Sequence, residues 1–139
     1  MDTAFSRMNV ADLFDRVIAG LDDEHDIKVL CNLMITKLIV LAPEETVRRL
    51  DPIAERFQAI LAFKPKENAV KQEVEKAQEA SKGVLRVTVR LHTAFPGVSS
   101  GATNGQVQCQ VWRGYWEWVG KDFKSQLQAM EMDIKSQST

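Results

Sequence analysis

The stretch His25–Leu41, HDIKVLCNLMITKLIVL, constrains the fold more than any other part of the chain. Ile27, Val29, Leu30, Cys31, Leu33, Met34, Ile35, Leu38, Ile39, Val40 and Leu41 would cover most of the circumference of a helix. Lys28, Asn32 and Thr36 recur at every fourth position and leave one narrow polar line. A helix apolar nearly all round must be covered on several sides, so this segment is expected at the centre of the fold, with helices on both flanks. Its β-branched end permits a strand, but its length favours a helix. A membrane span needs about 20 apolar residues, and this run is short and broken by Asn32 and Lys37.

The flanking segments are helical too. Asn9 can cap a first helix with Leu13, Val17 and Ile18 on one face, and Gly20 can end it. Asp23 can cap the central helix. Pro43 suits a first helical turn, with Glu44 and Glu45 beside it. Asp51-Pro52 is a good cap and first residue for a further helix whose apolar face is Ile53, Phe57, Ile60 and Leu61. Val70, Val74, Ala77, Ser81, Val84, Thr88, Leu91 and Phe95 then alternate by fours and threes. They predict one long helix from about Glu67 to Phe95, begun by a Glu67–Lys71 pair and packed at first through small residues.

The segment PGVSSGATNGQ has no periodicity and is expected to be a flexible loop. A final helix is expected from about Val111 to Met132, buried through Trp112, Trp116, Val119, Phe123, Leu127 and Met130, with Tyr115 and Trp118 beside that stripe. The chain thus divides into helical repeats over 1–95, a loop over 96–110 and an aromatic capping helix over 111–135. The expected fold is all-α, with HEAT/armadillo-like antiparallel helix pairs in units of about 40 residues and a terminal cap of the kind such solenoids need. A free-standing helical bundle is the rival architecture.

The chain has 139 residues and a net charge of -1, enough for one domain and without a global basic field for nucleic acid. Charge is polarised. The acids Asp2, Asp12, Asp15, Asp22, Asp23, Glu24 and Asp26 outnumber Arg7, Arg16 and Lys28 up to Leu30, while bases are in slight excess from Phe63 to Arg90. Such a surface suits a protein partner. Two distant cysteines, Cys31 and Cys109, form no disulfide framework and fit a reducing compartment. His25 and His92 belong to no metal-spaced cluster, no phosphate loop or nucleophile elbow is present, and the acids at 22–26 lack EF-hand spacing. No catalytic, cofactor or metal role is therefore assigned.

Binding features are clearer. Lys64 and Lys66 stand on a turn, with Lys71 beyond it, and could dock an acidic partner surface; a solvated turn is the simpler reading. Lys28, Asn32 and Thr36 could mark the concave binding side of an inner solenoid helix, or be simply an exposed line. The expected partner-binding residues are thus Lys28, Asn32, Thr36, Lys64, Lys66 and Lys71. An uncovered repeat face at the first helices also predicts some dimerisation at high concentration.

The words GLDDEHDIKVL, RRLDPIAERF and FKPKENAVKQEVEKAQEASKGVLRV go beyond generic helix. The sharpest piece is Lys66, Asn68, Val70, Lys71, Gln72, Glu73, Glu75 and Lys76. From about Asn9 to Phe95 the chain resembles the C-terminal end of the cullin-associated, neddylation-dissociated (CAND) proteins, also called TATA-binding-protein-interacting proteins, and fungal members most. The resemblance implies a non-enzymatic HEAT-repeat solenoid that wraps an unneddylated cullin bound to its RING partner. It implies C-terminal repeats that bind the cullin N-terminal region, in competition with the substrate-receptor adaptor. It further implies a role in substrate-receptor exchange on cullin-RING (SCF) ubiquitin ligases, in the nucleus and cytoplasm, with an older association with the TATA-binding protein. The family's projecting β-hairpin and N-terminal arch lie outside the matched stretch. A fragment, a truncated gene model or a short paralogue is expected, and a structural solenoid cap is the plainest alternative role.

Overall fold

The computed structural model describes residues 7–99 and 109–138. They form helices and no strand: α1 (Arg7–Gly20), α2 (His25–Leu41), α3 (Pro43–Arg48), α4 (Leu50–Ala62), α5 (Lys71–Ala94), the single turn α6 (Pro96–Ser99), α7 (Gln110–Asp122) and α8 (Lys124–Ser138). The helices stack in two layers. α4 lies between α1 and α7 in one layer, and α5 lies between α2 and α8 in the other. The all-α, HEAT-like solenoid architecture is thus observed, with α1–α2 and α4–α5 as its packed pairs.

The core runs between the layers. Phe14, Ile35, Leu50, Ile53, Phe57, Val84, Trp112 and Val119 are all at most 1% exposed. Burying each such side chain is worth about 1.5–3 kcal/mol. Phe14 is absent from the stripe expected for α1, yet it sits at the α1–α4 contact with Arg49 over its ring. Arg49 also bonds Asp15 and Glu45, so one guanidinium ties α1 to the α3–α4 corner.

Helix ends depart from expectation where a long-range contact outweighs a local signal. α1 already begins at Arg7, so Asn9 lies inside it rather than at its start. Asp23 accepts a bond from the Glu24 N–H at 2.8 Å, and Glu24 occupies the cap position of α2. α4 begins before Asp51, whose carboxylate instead accepts the Trp112 N–H at 3.1 Å. Asp51 thus satisfies one of the free donors at the start of α7, across two helices rather than within its own. The Cys109 backbone there is left-handed, with φ 40°. Its thiol contacts the Val47 carbonyl, and burial pushes its pKa up to about 11.

α5 starts at Lys71, four residues later than expected. Val70 is 66% exposed, so a longer helix would bury nothing more there. Glu67 stays in a turn, and Lys71 lies 4.0 Å from Glu75 instead. From Ala77 onward the expected face holds: Ala77, Val84, Thr88 and Leu91 are all buried. Of the loop expected over 96–110, Pro96–Ser99 is a helical turn, and residues 100–108 lie outside the described residues.

The terminal helix is two helices. It bends at Phe123, where φ is -128° and ψ is 31°. The bend lets α7 lie on α4 while α8 crosses onto α5, so one segment covers both layers. Tyr115, expected beside the stripe, is in the core at 2% exposure. The Thr88 hydroxyl donates to the Val84 carbonyl at 2.7 Å, which leaves its oxygen to accept from the Tyr115 hydroxyl at 2.8 Å.

Candidate functional site

α2 and α5 lie side by side and run in the same sense. Asp26 pairs with Lys76 at 3.3 Å near their starts, and further along Asn32 rests on Gly83. A Cβ added at Gly83 would stand 3.3 Å from Asn32 Nδ2, so the missing side chain is what lets the two helices close over the amide. Beside this contact runs an open groove of roughly 560 Å³. Val29, Asn32, Leu33 and Thr36 line it from α2, and Glu75, Gln78, Glu79, Lys82, Gly83, Arg86 and Val87 line it from α5. Lys82 and Arg86 also border a second groove against Gln126, Ala129 and Asp133 of α8. These two cations therefore form a ridge in the middle of the α2–α5–α8 layer.

This arrangement corrects the reading of the polar line on α2. Lys28, Asn32 and Thr36 face α5 and are not an exposed stripe. Asn32 is 2% exposed, Thr36 donates back to the Asn32 carbonyl at 3.0 Å, and Lys28 lies 6.0 Å from the centre of the Phe63 ring. The open side of α2 is mainly apolar instead: Ile27, Leu30, Leu33, Val40 and Leu41 are between 37% and 79% exposed, with the exposed Lys37 among them. Among the described residues the helix is covered mainly by α1 and α5, and its third side is left open. Four-residue spacing identified a line of like residues; it could not say which way that line turned.

Lys64, Lys66 and Lys71 are all exposed and sit at the α4–α5 connection, beyond the groove. Phe63 links the two sets, because it carries Lys28 on its face and meets His25 edge-on at 5.3 Å. Around it stand Asp23, Glu24, Asp26 and Glu73, so the three lysines adjoin an acidic rim and do not form an isolated basic patch. The groove residues Glu75, Glu79, Lys82, Gly83 and Arg86 were missed as site residues. Helical spacing places Glu75, Glu79, Lys82 and Arg86 on one face, which is the signal that could have found them.

Among the described residues no three His, Cys, Asp or Glu side chains are arranged so that they could hold a metal ion, and none of the helices there is long and apolar enough to cross a membrane. His25 and His92 stay apart. His92 stacks on Trp116 with ring centres 4.0 Å apart, and burial lowers its pKa although Glu131 opposes the shift. Burial likewise raises the Cys31 thiol, with Asp23 adding to the effect.

The family model described as TATA-binding protein interacting (TIP20) matches residues 1–120. The C-terminal part of cullin-associated NEDD8-dissociated protein 1 of Emericella nidulans is 51% identical over 134 residues, 96% of this chain and 12% of that relative. Cullin-associated NEDD8-dissociated protein 1 of Drosophila melanogaster is 36% identical over 91 residues, 66% of this chain and 7% of its own length. Protein 2 of Mus musculus is 28% identical over 111 residues, 80% of this chain and 9% of its own. The chain spans 12% or less of these curated relatives. The family match runs past Phe95 into the Trp-rich α7, further than the sequence motifs alone indicated. The chain therefore belongs to the TATA-binding-protein-interacting family, as a helical module like the C-terminal part of the cullin-associated NEDD8-dissociated proteins.

Proposed function

We propose that this chain is a non-catalytic interaction module that binds the N-terminal region of an unneddylated cullin. It would serve there in the assembly and substrate-receptor exchange of cullin-RING (SCF) ubiquitin ligases, in the nucleus and cytoplasm. The observation that carries the reading is the 51% identity, over 96% of the chain, to the C-terminal part of a protein named for its association with cullin. The surface is compatible with it. An apolar strip on α2 (Leu30, Leu33, Val40) lies in the same layer as the charged ridge of α5. The exposed Lys64, Lys66 and Lys71 supply a cationic edge, which would steer association more than add affinity.

The test is a calorimetric titration of the chain against an unneddylated cullin N-terminal domain at two salt concentrations. Saturable binding that weakens with salt is expected, as is weaker binding after reversal of Lys64, Lys66 and Lys71 to Glu. Absence of heat and of co-elution would sink the reading and leave the chain a structural solenoid cap. The family's description favours a second reading, a scaffold that binds the TATA-binding protein. Pull-down with each purified partner separates the two.

A further inference from the structure

We infer that the open face of α2 is a self-complementary seat for a second copy of this chain, docked α2 against α2 in antiparallel sense about a two-fold axis. Asp26, Leu30, Leu33 and Lys37 follow one another at spacings of four, three and four residues. At 3.6 residues per turn they lie on one stripe of the helix. Ile35 lies on the opposite side and faces the core at 0% exposure. All four stripe residues are open. Leu30 is 57% exposed and Leu33 52%, the Asp26 side chain is 64% exposed, and Lys37 is exposed as well.

The order of the stripe names the occupant. Its spacing reads the same in both directions, apolar in the middle, with an acid at one end and a base at the other. A second α2 laid antiparallel over the midpoint sets Leu30 against the partner's Leu33 and Asp26 against the partner's Lys37. A two-fold contact makes every such pairing twice. The parallel arrangement would set acid on acid and base on base, and like charges oppose it. An unlike protein would need the complementary order, whereas this chain already carries it.

The charges are free to serve in this way. Lys37 makes no ion pair with any described residue. Asp26 holds Lys76 through one carboxylate oxygen at 3.3 Å, which leaves the other for the partner's Lys37. The leucines supply the attraction, through apolar area removed from water, and the charges fix orientation and register. From Asp26 to Lys37 the helix advances about 16 Å. Val40 and Leu41 reach past the start of the partner's α2 in this register and take no part in the pairing. A contact of that length falls below the ~1,200 Å² of a standard interface, so the dimer is weak, half-formed on the order of 100 µM.

The inference does not depend on the cullin reading, and its test needs only the 139-residue chain. Sedimentation equilibrium is run from about 5 µM to about 1 mM at low salt, with thermal melts to show that each variant folds. The wild type should pass from monomer to dimer. Leu30→Asp should abolish the dimer. Lys37→Glu sets acid against acid at both ends and should weaken it about tenfold, as should Asp26→Lys. The double exchange Asp26→Lys with Lys37→Glu restores opposite charges in the antiparallel register only, and should return the dimer to within about threefold of the wild type. Asp26→Lys also loses the Lys76 pair, but that pair is on the surface and its loss leaves the fold intact. A wild type that stays monomeric throughout overturns the inference and leaves the strip to a different protein. A dimer that Leu30→Asp leaves unchanged forms through another face and overturns it too. A dimer lost in Leu30→Asp but not recovered by the double exchange would overturn the antiparallel register.

Discussion

The two ends of the stack are finished in different ways. At the α7–α8 end, Trp112, Tyr115, Val119 and Leu127 turn inward at 5% exposure or less. Lys121, Asp122, Lys124, Ser125, Gln126 and Gln128 face out, with Val111 and Met132 the large apolar exceptions. At the α2 end the outward residues are mostly apolar, Leu30, Leu33, Val40 and Leu41, with Lys37 among them. A polar outer face is what closes a helical array. An apolar one adds nothing to the stability of the chain that bears it and leaves area for a partner to cover. Hydrophobic residues thus do different work at the two ends: the aromatic residues hold the fold together, and the α2 strip stays exposed.

The sharpest way to break this comparison is to truncate one large side chain at each end. Trp112→Ala should cost about 3–5 kcal/mol. Leu30→Ala, which removes more than half-exposed surface, should stay within about 0.5 kcal/mol. Urea denaturation of both variants checks it, and a comparable loss for Leu30→Ala would mean that α2 is covered in solution.

The two buried polar groups flanking α5 offer the next test, because one is satisfied and the other is not. Thr88→Val leaves the Tyr115 hydroxyl buried without its acceptor and should cost about 1–3 kcal/mol. Asn32→Leu, on the opposite side of α5, removes no bond and should be neutral or stabilising. Thermal melts of the pair in the same buffer decide. Equal destabilisation would show that Asn32 has a partner after all.

These contrasts also mark how far the sequence could be read. The bounds of α2 and the end of α1 at Gly20 were legible, because apolar periodicity and a glycine stop are local signals. The helix-pair architecture followed from segment lengths. The bend at Phe123 was not legible: the stripe Trp112, Trp116, Val119, Phe123, Leu127, Met130 keeps its phase through it, no Pro follows, and Gly120 lies inside the last turn of α7 rather than at the break. Nor was the true face of Asn32. Its burial depends on Gly83, fifty-one residues away, and no local pattern records that contact. The groove was therefore hidden for the reason that makes it informative, since its floor and its ridge come from different repeats.

Two glycines carry the comparison to smaller effects. A Cβ at Gly20 would overlap the Cys31 sulfur at the α1–α2 contact, so Gly20→Ala should destabilise by about 1–3 kcal/mol. Gly114 on α7 has nothing within 4 Å of an added Cβ. Gly114→Ala should gain about 0.5–1 kcal/mol from helix propensity alone. Opposite shifts in the denaturation midpoint would confirm that α1 and α2 are held close while the outer side of α7 is free.

The smallest effect is a pH dependence confined to the closed end. His92 stacks on Trp116, and burial lowers its pKa below the ordinary 6.5, with Glu131 opposing the shift. The folded protein therefore favours the neutral ring, while the unfolded chain takes up a proton more readily. Stability from this group is present above about pH 6.5 and falls as pH drops through that value toward the lowered pKa. His92→Phe keeps a ring on Trp116 but cannot titrate. Between pH 7.5 and 5.5 its melting temperature should fall less than that of the wild type. The carboxylates common to both proteins cancel in the difference. A parallel fall in the two would mean that the imidazole gains as much from Glu131 as it loses by burial. The α7–α8 end would then be insensitive to protonation, and its stability would come from packing alone.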